Sequence, residues 1–74
     1  MRDVLIRGQV IRLGQLLKLV GVIESGAEVK TFLDREEVWV NGARETRRGR
    51  QLHPGDVVRV GDGELRLVSI APDP

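Results

Sequence analysis

VWVNGARETRRGR, residues 38–50, is the stretch from which the rest of the chain is read. Val38, Trp39 and Val40 alternate with a period of two, so both valines face one side of a strand and the tryptophan the other. Asn41-Gly42 follows, the dipeptide best suited to a two-residue type I′ turn, in which both central residues need positive φ. The turn sends residues 43–46 back as the partner strand. Four arginines, Arg44, Arg47, Arg48 and Arg50, then fall close together. Arg47, Arg48, Gly49 and Arg50 form a connection that must run over the surface, because a buried loop would strand its backbone polar groups. The arginines are therefore expected to project from one edge of a sheet.

Upstream the periodicity is helical. Leu13, Leu16, Leu17 and Val20 make one apolar stripe. Gly21 stands where a helix ends in a left-handed residue, with Val22 packing back over the last turn. Ser25 and Glu28 have capping-box spacing and predict a second helix start. Val29, Phe32 and Leu33 supply its buried stripe, and Lys30 and Asp34 are placed to pair on its exposed side. The two short helices are joined by a tight connection at residues 21–24. Residues 4–10 read as a first strand, with Val4, Ile6 and Gly8 on one side.

Downstream, His53-Pro54-Gly55-Asp56 fits a type II turn. Residues 57–60 are a strand, Asp62-Gly63 turns the chain, and residues 64–70 return with Leu65, Leu67 and Ser69 on one face. Residues 71–74 read as a frayed tail. The expected fold class is α+β: two short helices packed on a small, mostly antiparallel sheet with a β-hairpin. The whole chain, 1–74, is read as a single domain, its core motif at about residues 11–60.

Composition narrows the chemistry. A chain of 74 residues buries only a modest core. It has no cysteine, which excludes disulfides and thiolate metal sites. No apolar run approaches the roughly 18 residues that span a bilayer. MRDVLIRGQVIRLGQ has neither the apolar core nor the cleavage site of a signal peptide. These features predict a cytoplasmic protein with no membrane association. Net charge is only +1, but it is segregated. Residues 1–23 and 38–50 each carry +3, residues 24–37 carry −3 and residues 51–74 carry −2. Folding can gather the two basic segments on one face.

Catalysis is poorly supported. The one histidine, His53, precedes Pro-Gly in a turn and is read as a turn former. Glu24, Glu28, Asp34, Glu36 and Glu37 read as caps and solubilising charges, and no acid–base pair is assembled among them. The glycines form neither phosphate-cradle pattern. No enzyme activity, metal or cofactor is expected. The arginines instead offer planar donors to phosphates. Lys18 and Lys30 lie on the polar faces of the two helices. Ser25 and Gly26 open the second helix, where free N–H groups favour an anion, and Gly26 lets a phosphate backbone come close. Trp39, turned away from the helices, either stacks on a base or covers the second face of the sheet.

IRLGQLLKLVG, ESGAEVKTFL, VWVNGARETRRGR and the LHPGD turn together resemble the RNA-binding domain named after ribosomal small-subunit protein S4, and most closely its small stand-alone bacterial members. The resemblance spans about residues 11–60. It implies an alpha-L-like motif of two helices and a β-hairpin that binds structured RNA, ribosomal or transfer RNA. Arg12-Leu13 matches the pair that opens the family's first helix, with Gly14 where Asp is usual. Ser25 matches the family's serine, with Gly26 in place of the arginine that commonly follows. Lys30 stands where a basic residue is expected. Asn41-Gly42 matches the hairpin turn, Gly55-Asp56 matches the later one, and Glu45-Thr46-Arg47 looks like the stand-alone subgroup. The expected RNA contacts are Lys18, Ser25, Gly26, Lys30, Trp39, Asn41, Arg44, Arg47, Arg48 and Arg50, on a monomer working in ribosome assembly or translation. The competing reading is a protein-interaction domain that docks through the sheet edge and the basic loop.

Overall fold

In the computed structural model, which describes residues 1–69, the Asn-Gly turn forms as its chemistry demands. Asn41 has φ 50° and Gly42 φ 86°, and Val40 pairs with Ala43 across the turn. The turn joins β3 (Val38–Val40) and β4 (Ala43–Arg44), which follow β1 (Arg2–Ile6), β2 (Ile11–Arg12), α1 (Leu13–Leu19) and α2 (Val29–Arg35). Then come β5 (Gln51–Leu52), β6 (Val57–Val60) and β7 (Gly63–Ser69). The main sheet has the order β1-β7-β6-β3-β4, with β2 and β5 paired separately. Every pairing is antiparallel except that of β1 with β7. The fold is the expected α+β arrangement, two short helices with a mostly antiparallel sheet.

One apolar core joins these layers. Leu13, Leu16 and Leu17 of α1 and Val29 and Leu33 of α2 are buried in a single cluster with Val38, Val40, Val58, Leu65 and Leu67 of the sheet. Val4 and Ile6 of β1 join the cluster, while Leu5 between them is exposed, the alternation of a strand with one covered face. α1 ends in a Schellman motif. Gly21, at φ 84°, donates its N–H to the Lys18 carbonyl, and Val22 donates to that of Leu17. Only Gly tolerates that backbone at no cost.

Several expectations shift. The first strand stops at Ile6, because Gly8 takes φ 78° and turns the chain. The return arm of the hairpin is shorter than residues 43–46. Glu45 N–H still reaches the Val38 carbonyl, but Thr46 leaves the ladder. The last turn is centred on Gly61-Asp62, one residue early, with Val60 opposite Gly63. Val22 is exposed rather than packed back. The expected capping box at Ser25 does not form. Ser25 Oγ donates to Glu28 Oε1 at 3.3 Å, and a 3₁₀ turn over Gly26–Glu28 precedes α2. Lys30 and Asp34 make no ion pair with each other. The expected tail at 71–74 lies outside the described residues. Among those described, no helix is long and apolar enough to cross a membrane.

The two turns named in the sequence prove to be one device. Asn41 Nδ2 donates to Asp56 Oδ1 at 3.0 Å, and Val57 N–H donates to Asn41 Oδ1 at 2.9 Å. Asn41 N–H donates to the Val57 carbonyl at 2.8 Å. Asp56 Oδ2 meanwhile accepts the His53 N–H at 2.8 Å, closing the His53–Asp56 turn around Gly55 at φ 96°. Asn41 was expected to contact RNA. Both ends of its amide are instead engaged in clasping the hairpin to β6, so its role here is architectural. Replacing Asn41 by Gly keeps the positive φ accessible and removes the clasp. That variant is expected to lose about 1–2 kcal/mol of stability for the lost hydrogen bonds, measured by urea denaturation.

Candidate nucleic-acid interface

The basic loop is built around a carboxylate. Glu45 is the one buried charged residue among those described, 5% exposed. Its Oε2 accepts the N–H groups of Thr46 at 3.0 Å and Arg47 at 2.9 Å, and the Arg47 Nε at 3.1 Å. Its Oε1 accepts Arg47 Nη2 at 3.1 Å and Arg50 Nη1 at 2.8 Å. A buried charge is tolerable only when paired and hydrogen-bonded, and here every lone-pair direction has a donor. The fork of Arg47 binds in the two-point geometry that is strongest for this pair. Yet the Arg47 side chain is 73% exposed, so one edge of the guanidinium is fixed and the other stays open to solvent.

The same loop seals the start of α1. Leu13 N–H donates to the Arg50 carbonyl and Gly14 N–H to the Arg48 carbonyl, both at 2.9 Å. Arg12 N–H is taken by Gln15 Oε1 at 3.0 Å. The orphan donors of a helix start are thus satisfied by the backbone of the arginine loop. The contact is close-packed but does not require a glycine at position 14. A Cβ there would lie 3.4 Å from Val29 Cγ1 and 3.5 Å from the Arg48 carbonyl oxygen. The loop is therefore held at two points, by the Glu45 carboxylate and by the end of α1.

This scaffold brings some of the expected contact residues together and leaves others apart. Arg48 meets Lys30 across a concavity also lined by Leu33 and Thr46. Arg47 and Arg50 line a second with Gly49, Gln51, His53 and Asp56. Arg44 lies on the outer face of the sheet, directly opposite Trp39, and so does not share the concavities. Trp39 is half-buried, with the Arg59 guanidinium carbon 5.2 Å from its ring centroid. Lys18 is exposed in the last turn of α1, the end away from the loop. At Ser25 and Gly26 the nearest side-chain partner is the carboxylate of Glu28, which a phosphate would have to displace. Among the described residues no cluster of His, Cys, Asp and Glu is arranged to hold a metal.

A sequence profile of the S4 domain matches residues 4–68. The chain belongs to the S4 domain family. It is also 48% identical over 62 residues, 82% of its length and 87% of the relative's, to a protein of Bacillus subtilis (strain 168) named "Probable ribosome maturation protein RlbA". The match reaches past the motif at residues 11–60 into β1 and β7, the strands that pair with each other.

Two features of this S4 domain escaped the sequence reading. Glu45 was noticed only as part of a family-like tripeptide. The available signal was its position between Arg44 and Arg47, an acid amid bases just after a strand whose inner positions are buried. Arg59 was missed because its place beside Trp39 depends on the β3–β6 register.

The electrostatics follow from these contacts. The Arg47 guanidinium, above all, holds the Glu45 carboxyl down. Burial opposes it, while the Arg47 N–H and Arg50 assist, and the pKa falls from 4.5 to about 2. Glu45 in turn raises Arg47. For Asp56, burial alone would raise the pKa, but the Asn41 amide, the His53 N–H and the charges of His53 and Arg50 outweigh it and lower it. A depressed carboxylate contributes stability that is complete above its unfolded value and lost as pH falls toward its folded value. For Glu45 that window runs from 4.5 down to about 2. Glu45→Gln is expected to be less stable than the parent at neutral pH. The gap should narrow as pH falls through that window, read from urea midpoints at a series of pH values.

Proposed function

We propose that this S4 domain is a non-catalytic module that binds structured RNA, ribosomal RNA before transfer RNA, and acts as a cytoplasmic monomer in ribosome maturation. The observation that carries the reading is the anchored loop. Its guanidiniums flank two adjoining concavities, with Lys30 completing one and His53 the other. Cations carried on an anchored loop in concave surroundings suit a phosphate backbone that curves, and folded RNA is recognised mostly by shape and phosphate contacts. The name of the Bacillus subtilis relative supports ribosome maturation as the setting. Arg47, Arg48, Arg50 and Lys30 are the proposed principal contacts, with Arg44 a flanking contact on the outer face of the sheet. Lys18, Ser25 and Gly26 are peripheral, to be reached only by an RNA that extends along the helices.

The test is a mobility-shift titration with a structured ribosomal RNA fragment and a length-matched DNA duplex, each at two salt concentrations. Four or five phosphate contacts predict a log–log salt slope of roughly −3 to −4, with weaker binding to the DNA. The double variant Lys30→Glu/Arg48→Glu is expected to bind the RNA at least about tenfold more weakly with an unchanged circular dichroism spectrum. Unchanged affinity would contradict the interface. Retention of a protein partner after nuclease treatment, with no RNA binding, would favour a protein-docking role.

A further inference from the structure

The outer face of the main sheet carries a row of side chains that the basic loop does not use. Arg44 on β4 stands opposite Trp39 on β3, Trp39 opposite Arg59 on β6, and Arg59 opposite Glu64 on β7. Directly opposed residues share a face, and this one is turned away from the core valines Val38, Val40 and Val58. Trp39, Gly42, Val57, Arg59 and Glu64 line a cleft of about 160 Å³. At its Gly42 side a Cβ would meet nothing within 4 Å, so the cleft is open on that side. Glu64 is exposed and takes part in none of the hydrogen bonds or ion pairs among the described residues. Arg66, the next outward residue of β7, is paired with Asp3 at 3.0 Å. The row thus presents an aromatic surface, an exposed arginine resting over it and an unengaged carboxylate in sequence across the strands.

We infer that this row is a pocket for an unpaired guanine of the bound RNA; the inference rests on the RNA-binding function proposed above. The indole supplies the stacking surface, and stacking alone accepts any base. Glu64 supplies the choice. An ionised carboxylate only accepts hydrogen bonds. Among the four RNA bases, guanine alone shows two adjacent donors, N1–H and the 2-amino group, on its Watson–Crick edge. Adenine and cytosine place an acceptor beside their amino donor, and uracil has one donor between two acceptors. Backbones two strands apart are about 10 Å from each other, so a purine stacked on Trp39 extends toward β7 and the Glu64 side chain reaches back to its edge. Arg59, which covers the ring in the absence of RNA, moves to the outer face of the base or to its phosphate. RNA recognition of this kind targets unpaired bases splayed from a folded backbone, which the loop on the neighbouring edge would hold.

Trp39 is the chain's one tryptophan, so its fluorescence reads the pocket directly. The probes are the pentaribonucleotides UUGUU and UUAUU and guanosine 5′-monophosphate, titrated into the full chain, with structured ribosomal RNA followed separately by mobility shift. UUGUU is expected to quench the fluorescence and to bind at least about fivefold more tightly than UUAUU, the discrimination of a good two-point base contact. Glu64→Gln, at an exposed position, should erase that preference while structured-RNA binding persists. Equal quenching by both pentamers, or none, would overturn the guanine pocket; if structured RNA still binds, the loop interface stands. Loss of structured-RNA binding as well would overturn both. Binding of the mononucleotide as tightly as UUGUU would make this a free-nucleotide site and likewise overturn the assignment.

Discussion

A buried carboxylate amid arginines is the constraint on which this molecule turns. Three guanidiniums crowded into a short loop repel one another, and a chain this small has little core with which to oppose them. Glu45 neutralises part of that repulsion from within. It fixes Arg47 and Arg50 by their inner edges and draws in two loop N–H groups. The result is a compact, pre-ordered set of cations. Pre-ordering matters for binding, because long side chains that are already fixed lose less freedom when a phosphate arrives. The residual positive field faces outward, since the only acid of the loop is buried.

The loop also completes the fold that carries it. Its Arg48 and Arg50 carbonyls cap α1, whose apolar stripe of Leu13, Leu16 and Leu17 is the largest helical contribution to the core. On the other side the Asn41–Asp56 clasp ties the hairpin that launches the loop to the turn that follows it. The middle and exit of the segment are bonded to the start of α1, and the hairpin at its entry is bonded to the turn and strand that follow it. A backbone displacement at Glu45 would therefore reach α1 and the β3–β6 ladder together. The proposed binding surface and the stability of so small a domain are in this sense the same set of interactions.

Much of this was legible beforehand, and the reasons are local. The period of two around Trp39, the Asn-Gly and Pro-Gly-Asp turns and the helical stripe ending at Gly21 each need only neighbouring residues to take effect. The parallel pairing of β1 with β7 had no such signal, since no tight turn announces a partnership between the two ends of a chain. Register was equally hidden. Without the β3–β6 and β6–β7 alignments nothing placed Arg59 over Trp39 or Glu64 beyond it. The Asn-Gly signal specifies the turn of the hairpin, but not the long-range partner that the Asn41 amide finds in Asp56. Ser25 and Glu28 had the spacing of a capping box, but the hydroxyl donates to the carboxylate itself and the backbone tightens into a 3₁₀ turn. Motif spacing specified where a helix starts, not which donor meets which acceptor.

The most direct test of a loop-centred interface is an amide-resolved NMR titration of the isotope-labelled chain with a structured ribosomal RNA hairpin. The largest shifts are expected at residues 44–50 and at Lys30, with smaller ones at Leu13 and Gly14, whose N–H groups are bonded to the loop carbonyls. Shifts concentrated on the exposed apolar residues Leu5, Val10 and Leu19, with the arginine loop silent, would contradict it.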